Sequence, residues 1–78
     1  MTVEAKVKET MTRILRKPEE EIKPEITFKD LNADSLDIVQ ILVALEDHYD
    51  IELMDDDIKG IANLGDFIKY VERKVAEK

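Results

Sequence analysis

The chain has 78 residues, 44% hydrophobic and 40% charged, with two Gly, two Pro and no Cys; that is one small domain, residues 1–78, burying only about 60% of the surface its unfolded form exposes. These figures exclude a large substrate cleft, a disulfide framework, thiolate metal sites and thiol catalysis, and no apolar run approaches the roughly 18 residues of a membrane span. Twelve Lys and Arg against nineteen Asp and Glu leave a net charge of −7, a poor match for nucleic acid, which calls for a basic face. Met1 to Val7 show neither a basic n-region nor an apolar h-region, so the expectation is a cytoplasmic chain without a secretory signal.

The first helix is expected over Val3–Leu15, where Val3, Val7, Met11, Ile14 and Leu15 recur at three- and four-residue spacing on one face. Thr2 is its candidate N-cap, and Arg16, Lys17 and Pro18 supply the C-terminal charge and the stop. Residues 17–34 make a connection of a length that, in compact domains, tends to be functional. Ile22, Ile26, Phe28 and Leu31 are spaced through it as if to pin it onto the helices, and residues 28–31 are expected to form a helical turn. The second helix is expected over Ser35–Tyr49 with Asp34 as N-cap. After an interruption at Ile51, Glu52 and Leu53, a short third helix is expected over 56–61, with Asp55 as cap, acids in the first turn and Lys59 in the last. Asn63 followed by Asp66 resembles a capping box, although Asp is shorter than the preferred Glu or Gln. It opens a fourth helix to about residue 75, packing through Phe67, Ile68, Val71 and Val75. The expected architecture is all-α, a four-helix bundle with a long first loop and a short third helix.

Charge is distributed unevenly along these elements. Residues 30–58 carry ten acids and no Lys or Arg, a charge of −10, and the rest of the chain, with twelve basic and nine acidic residues, sums to +3. Such a block is a solvated face or a docking surface for basic partners. On a helical wheel the second helix has two apolar stripes: Ile38, Ile41, Leu42, Leu45 and Tyr49 suit a core, while Leu36, Val39 and Val43 fall on the opposite side. Gln40, Glu46, Asp47 and Asp50 border the second stripe. The third helix or the long loop could cover it; otherwise it is an apolar strip in an acidic frame, suited to a hydrophobic patch ringed by Lys and Arg. Ser35 stands at the head of this stripe in the first helical turn. A serine there is ordinarily a cap, but Asp34 is the better N-cap, and a phosphodiester on Ser35 would meet unsatisfied backbone donors and the positive helix terminus.

Asp30-Leu31-Asn32-Ala33-Asp34-Ser35-Leu36-Asp37 resembles the attachment motif of acyl carrier proteins, whose usual form is Asp-Leu-Gly-Ala-Asp-Ser-Leu-Asp. The likeness continues through Val39, Leu42, Ala44-Leu45-Glu46, Tyr49-Asp50 and the acids Asp55, Asp56 and Asp57, and more weakly over nearly the whole chain. The resemblance implies a carrier without catalysis of its own. A phosphopantetheinyl transferase would move 4′-phosphopantetheine from coenzyme A onto Ser35, flanked by Asp34 and Leu36, using magnesium. The imported thiol would then hold acyl groups as thioesters for fatty-acid or polyketide synthesis enzymes with basic docking patches. It also implies a partner face of Leu36, Asp37, Val39, Gln40, Val43, Glu46, Asp47, Asp50, Asp55, Asp56 and Asp57, and an acyl site lined by Phe28, Ile41, Leu45, Ile61, Ala62 and Val71 in a cytoplasmic monomer that does not insert into membranes. Four positions depart from the fatty-acid pattern: Asn32 for glycine, which Asn tolerates at positive φ, Gln40 for a recognition glutamate, His48, and Met54 where proline often stands. They leave two carriers open, the housekeeping one of fatty-acid synthesis and a specialised one for a single lipid or polyketide pathway.

Two other classes are open on the residues. An EF-hand-like calcium protein would use Asp30, Asn32 and Asp34, but Ser35 replaces the required Gly, Asp37 the apolar position, and Ile41 the bidentate Glu. An unmodified acidic adaptor would use Leu36, Val39 and Val43 alone. An enzyme is not expected: there is one His and no Cys, and acids beside Ser35 do not make a triad.

Overall fold

The computed structural model describes residues 2–78. Among the described residues it is all-helical, with α1 at Val3–Leu15, α2 at Ser35–Tyr49, α3 at Asp55–Ile58 and α4 at Leu64–Glu77. Helix α1 starts where Thr2 Oγ1 accepts from the Ala5 amide at 3.1 Å, and it stops at Arg16, which turns into the left-handed region at φ 57°. Val7 and Met11 are fully buried, and so is Thr10, whose hydroxyl donates to the Lys6 carbonyl at 2.8 Å and leaves no unpaired polar atom in the core. Ile41, Leu42 and Leu45 of α2 and Leu64, Phe67, Ile68 and Val71 of α4 complete the interior. Each fully buried side chain of this size contributes about 1.5–3 kcal/mol of transfer free energy.

The long connection is ordered by its own bonds. Pro18 opens a single 3₁₀ turn at Glu19–Glu21, closed by bonds from Glu21 to Pro18 and from Ile22 to Glu19, which delivers Ile22 into the core. That turn is not among the sequence expectations. The turn at residues 28–31 is present, with Leu31 donating to Phe28, and the Phe28 ring meets Phe67 edge-on at 5.3 Å. The first two amides of α4 donate to the loop, Leu64 to Ile26 O at 2.8 Å and Gly65 to Pro24 O at 2.9 Å. Backbone carbonyls of the connection thus cap orphan donors of the last helix.

Three boundaries differ from the sequence reading, both ends of α3 and the end of α4. Helix α3 begins at Asp55 with Met54 as its cap residue, so Asp55 is helical and not the cap, and no side chain caps the helix. It ends at Ile58; residues 59–61 continue as tight turns in which Gly60 donates to Asp57 and Ile61 to Ile58. The low helix propensity of Gly60 and the three-residue spacing of half-buried Ile58 and Ile61 favour this tighter winding. Helix α4 runs to Glu77, past the expected end, through the helix formers Ala76 and Glu77. Its C-cap residue Lys78 reaches the end of α2, donating from Nζ to the Tyr49 carbonyl at 2.9 Å and lying 3.7 Å from the carboxylate of Asp50, which is left-handed at φ 55°.

Candidate functional site

The segment leading into α2 is built from reciprocal side-chain caps. Thr27 N donates to Asp30 Oδ2 at 3.1 Å and Asp30 N to Thr27 Oγ1 at 3.0 Å, which locks the turn after Thr27. Asn32 follows at φ 58°, the left-handed conformation for which Asn substitutes for Gly. Asp37 N then donates to Asp34 Oδ1 at 2.9 Å and Asp34 N to Asp37 Oδ2 at 3.3 Å, a capping box at the start of α2. Neither bond uses the Ser35 hydroxyl, nor the amides of Ser35 and Leu36, and Ser35 is exposed as the first residue of the helix. The acids of the segment hold its backbone, and the serine is left free.

Beside Ser35 lies an open cleft of about 230 Å³ between α2 and α3, lined by Ser35, Ile38 and Val39 on one side and Asp55, Ile58 and Lys59 on the other. Its lining is mostly apolar and includes the serine itself. None of the residues expected to line an acyl site lines this cleft: Ile41, Leu45 and Val71 are fully buried in the core, Phe28 and Ile61 are half-buried against it, and Ala62 is exposed. Their helical spacing marks core and cavity wall alike, so sequence could not separate the two.

Leu36, Val39 and Val43 are 64%, 40% and 47% exposed, so neither the third helix nor the loop covers the second stripe. Gln40, Asp47, Asp50, Asp55 and Asp56 are exposed around it, and Met54, 48% exposed, adds an apolar side chain that the periodicity did not single out. Besides Asp37, whose carboxylate is held in the capping box, two of the expected docking acids bond to groups elsewhere in the molecule. Half-buried Glu46 accepts from the Leu53 amide at 3.0 Å through Oε2. Asp57 Oδ2 accepts from the Tyr70 hydroxyl at 2.7 Å, and the same phenolic oxygen accepts from the Met54 amide at 3.0 Å. Burial first, and then the bond to Asp57, hold the Tyr70 hydroxyl above its ordinary titration range.

Asp30 and Asp34 bond to backbone amides, and among the described residues no cluster of three His, Asp or Glu could hold a metal ion. Residues 5–71 match the family model for the phosphopantetheine attachment site. A protein of Streptococcus thermophilus (strain CNRZ 1066), an acyl carrier protein, is 42% identical over 74 residues, spanning 95% of this chain and 97% of its own length. The chain belongs to the acyl carrier protein family. It functions as an acyl carrier with covalently attached 4′-phosphopantetheine, and the EF-hand-like and unmodified-adaptor alternatives fall. The geometry of this acyl carrier fits the group: an exposed serine at a helix start, first-turn amides not used by the cap, and an apolar cleft at the serine's side.

Proposed function

We propose that Ser35 is the residue that carries 4′-phosphopantetheine. The observation that supports this most directly is the capping box, which holds the start of α2 through Asp34 and Asp37 and leaves Ser35 exposed at the first helical position. When bound, the group supplies the thiol that the chain lacks, on which acyl groups are held as thioesters. The chain's own residues orient and receive. The amides of Ser35 and Leu36 and the positive end of α2 offset the phosphate charge. The protein performs no catalysis; the transfer to Ser35 is the work of a phosphopantetheinyl transferase.

The partners are acyl-transferring enzymes of fatty-acid or polyketide synthesis that present an apolar patch ringed by basic residues. Exposed Leu36, Val39 and Val43 are the centre of the docking face, and Asp37, Gln40, Asp47, Asp50, Asp55 and Asp56 are its frame. Charges in such a frame speed encounter more than they deepen affinity, which suits brief visits to several enzymes. Glu46 and Asp57 contribute to the frame only as far as their internal bonds allow. The cytoplasm is the compartment in which these enzymes and coenzyme A would be met.

The test is direct. Incubation with coenzyme A, magnesium and a broad-specificity transferase raises the intact mass by one phosphopantetheine, and Ser35→Ala abolishes the shift. A wild-type chain left unmodified while a control carrier is loaded would rule out Ser35 as the attachment residue.

A further inference from the structure

Helix α3 has four residues, no side-chain cap and no fully buried residue, only half-buried Ile58 against the core, so its own propensity and packing hold it weakly. Side chains from the helices on either side hold it. The consecutive amides of Leu53 and Met54, just before α3, are bonded by Glu46 of α2 and by Tyr70 of α4 respectively. Tyr70 goes further, donating to Asp57 inside α3 while accepting from Met54 at its start. The ring is 7% exposed, and the Arg73 guanidinium sits 5.6 Å from its centroid, which fixes the phenol along α4. Asp55, Ile58 and Lys59, at the far side of this short helix, form one wall of the cleft beside Ser35.

We propose that the Tyr70 hydroxyl is the clamp that fixes the α3 wall of the Ser35 cleft, which makes Tyr70 a positioning residue for the prosthetic group and its cargo although it lies on another helix. The proposal rests on Ser35 as the attachment residue. A group tethered at the rim of a cleft experiences a high effective concentration there, so how far the group stays sheltered depends on whether the wall is in place. With the clamp closed, Ile58 faces Ile38 and Val39 across the cleft. With it open, α3 keeps the Glu46 bond, the half-buried contact of Ile58 and its chain connections, and the apolar lining of the cleft is more exposed to water.

Tyr70→Phe keeps the ring and removes both bonds, whereas Asp57→Asn keeps a carboxamide oxygen as acceptor. Amide hydrogen exchange on the unmodified proteins is expected to quicken at least about tenfold at residues 54–58 in Tyr70→Phe, as the loss of two ordinary hydrogen bonds implies. Leu45 and Phe67 should keep their protection relative to global stability, and Asp57→Asn should stay near wild type. After loading, confirmed by mass, the wild type is expected to show shifted methyl resonances at Ile38, Val39 and Ile58 that shrink in Tyr70→Phe. Unchanged exchange at 54–58, or loosening spread evenly over α1, α2 and α4, overturns the clamp. A chain that gains no mass overturns the Ser35 reading instead, and the exchange comparison, made without the group, still decides for or against the clamp.

Discussion

Asp34 and Asp37 exchange bonds with each other's amides, Asp30 does the same with Thr27, and Ser35 between them is left unspent. A motif dense in acid therefore works first as backbone carpentry, each cap of this kind being worth about 1 kcal/mol. Gly65 illustrates a different constraint. A glycine in a helix ordinarily costs about 1 kcal/mol relative to alanine. Here, however, a Cβ would lie 3.3 Å from the Pro24 carbonyl oxygen, the Pro24 Cβ and Asn63 Oδ1. The Pro24 carbonyl cannot retreat without stretching the bond it accepts from Gly65 at 2.9 Å. Gly65→Ala is expected to be no more stable than wild type in urea unfolding; a gain of about 1 kcal/mol would show that the loop yields freely.

The helices differ in what holds them. Those over Val3–Leu15 and Ser35–Tyr49 match their sequence expectation at both ends because cap residues and apolar spacing are local signals. Helix α3 does not match, because what fixes it is Tyr70 and Glu46, and a bond between residues 13 or 16 apart leaves no periodic trace. This attachment has a pH signature. The Tyr70 hydroxyl donates to Asp57 of α3 while Arg73 and Lys74 of α4 lie over its ring, and burial with the Asp57 bond raises the phenol above the ordinary value of 10.0; Tyr49 is raised by burial alone. A raised phenol means that above pH about 10 the unfolded chain releases its proton first. The stabilisation is thus complete below pH 10 and lost as pH rises through the folded-state value. Urea midpoints measured against pH are expected to fall less steeply above pH 10 in Tyr70→Phe than in wild type, with the Tyr49 contribution common to both. Equal slopes would mean that the Tyr70 hydroxyl is not protected by the fold.

Across the molecule, the −10 of residues 30–58 is confined largely to α2, α3 and the link between them. Apart from Lys78 with Asp50, the ion pairs among the described residues join positions three or four apart, such as Lys59 with Asp56 at 82% and 87% side-chain exposure, and exposed pairs contribute about 0–1 kcal/mol. Against them stands the self-repulsion of ten acids with no Lys or Arg among them over residues 30–58. Raising ionic strength from about 0.01 M to about 0.15 M shortens the screening length from about 30 Å to about 8 Å. The melting temperature is therefore expected to rise, by about 4–8 °C for each kcal/mol relieved, and divalent cations should act at lower concentration. A flat or falling melting temperature would place the ion pairs above the repulsion.

The residues alone carried the helical class, the position of Ser35 at the start of α2, a second apolar stripe on that helix and the family, since each is written in spacing, cap chemistry or a contiguous motif; that the stripe is exposed was decided by the fold. Folding decided which apolar residues wall the cleft beside Ser35 and which acids remain free for a partner. Both depend on where α3 comes to rest, and four residues too few to hold themselves are placed by Glu46 and Tyr70, whose partners are neighbours only in space.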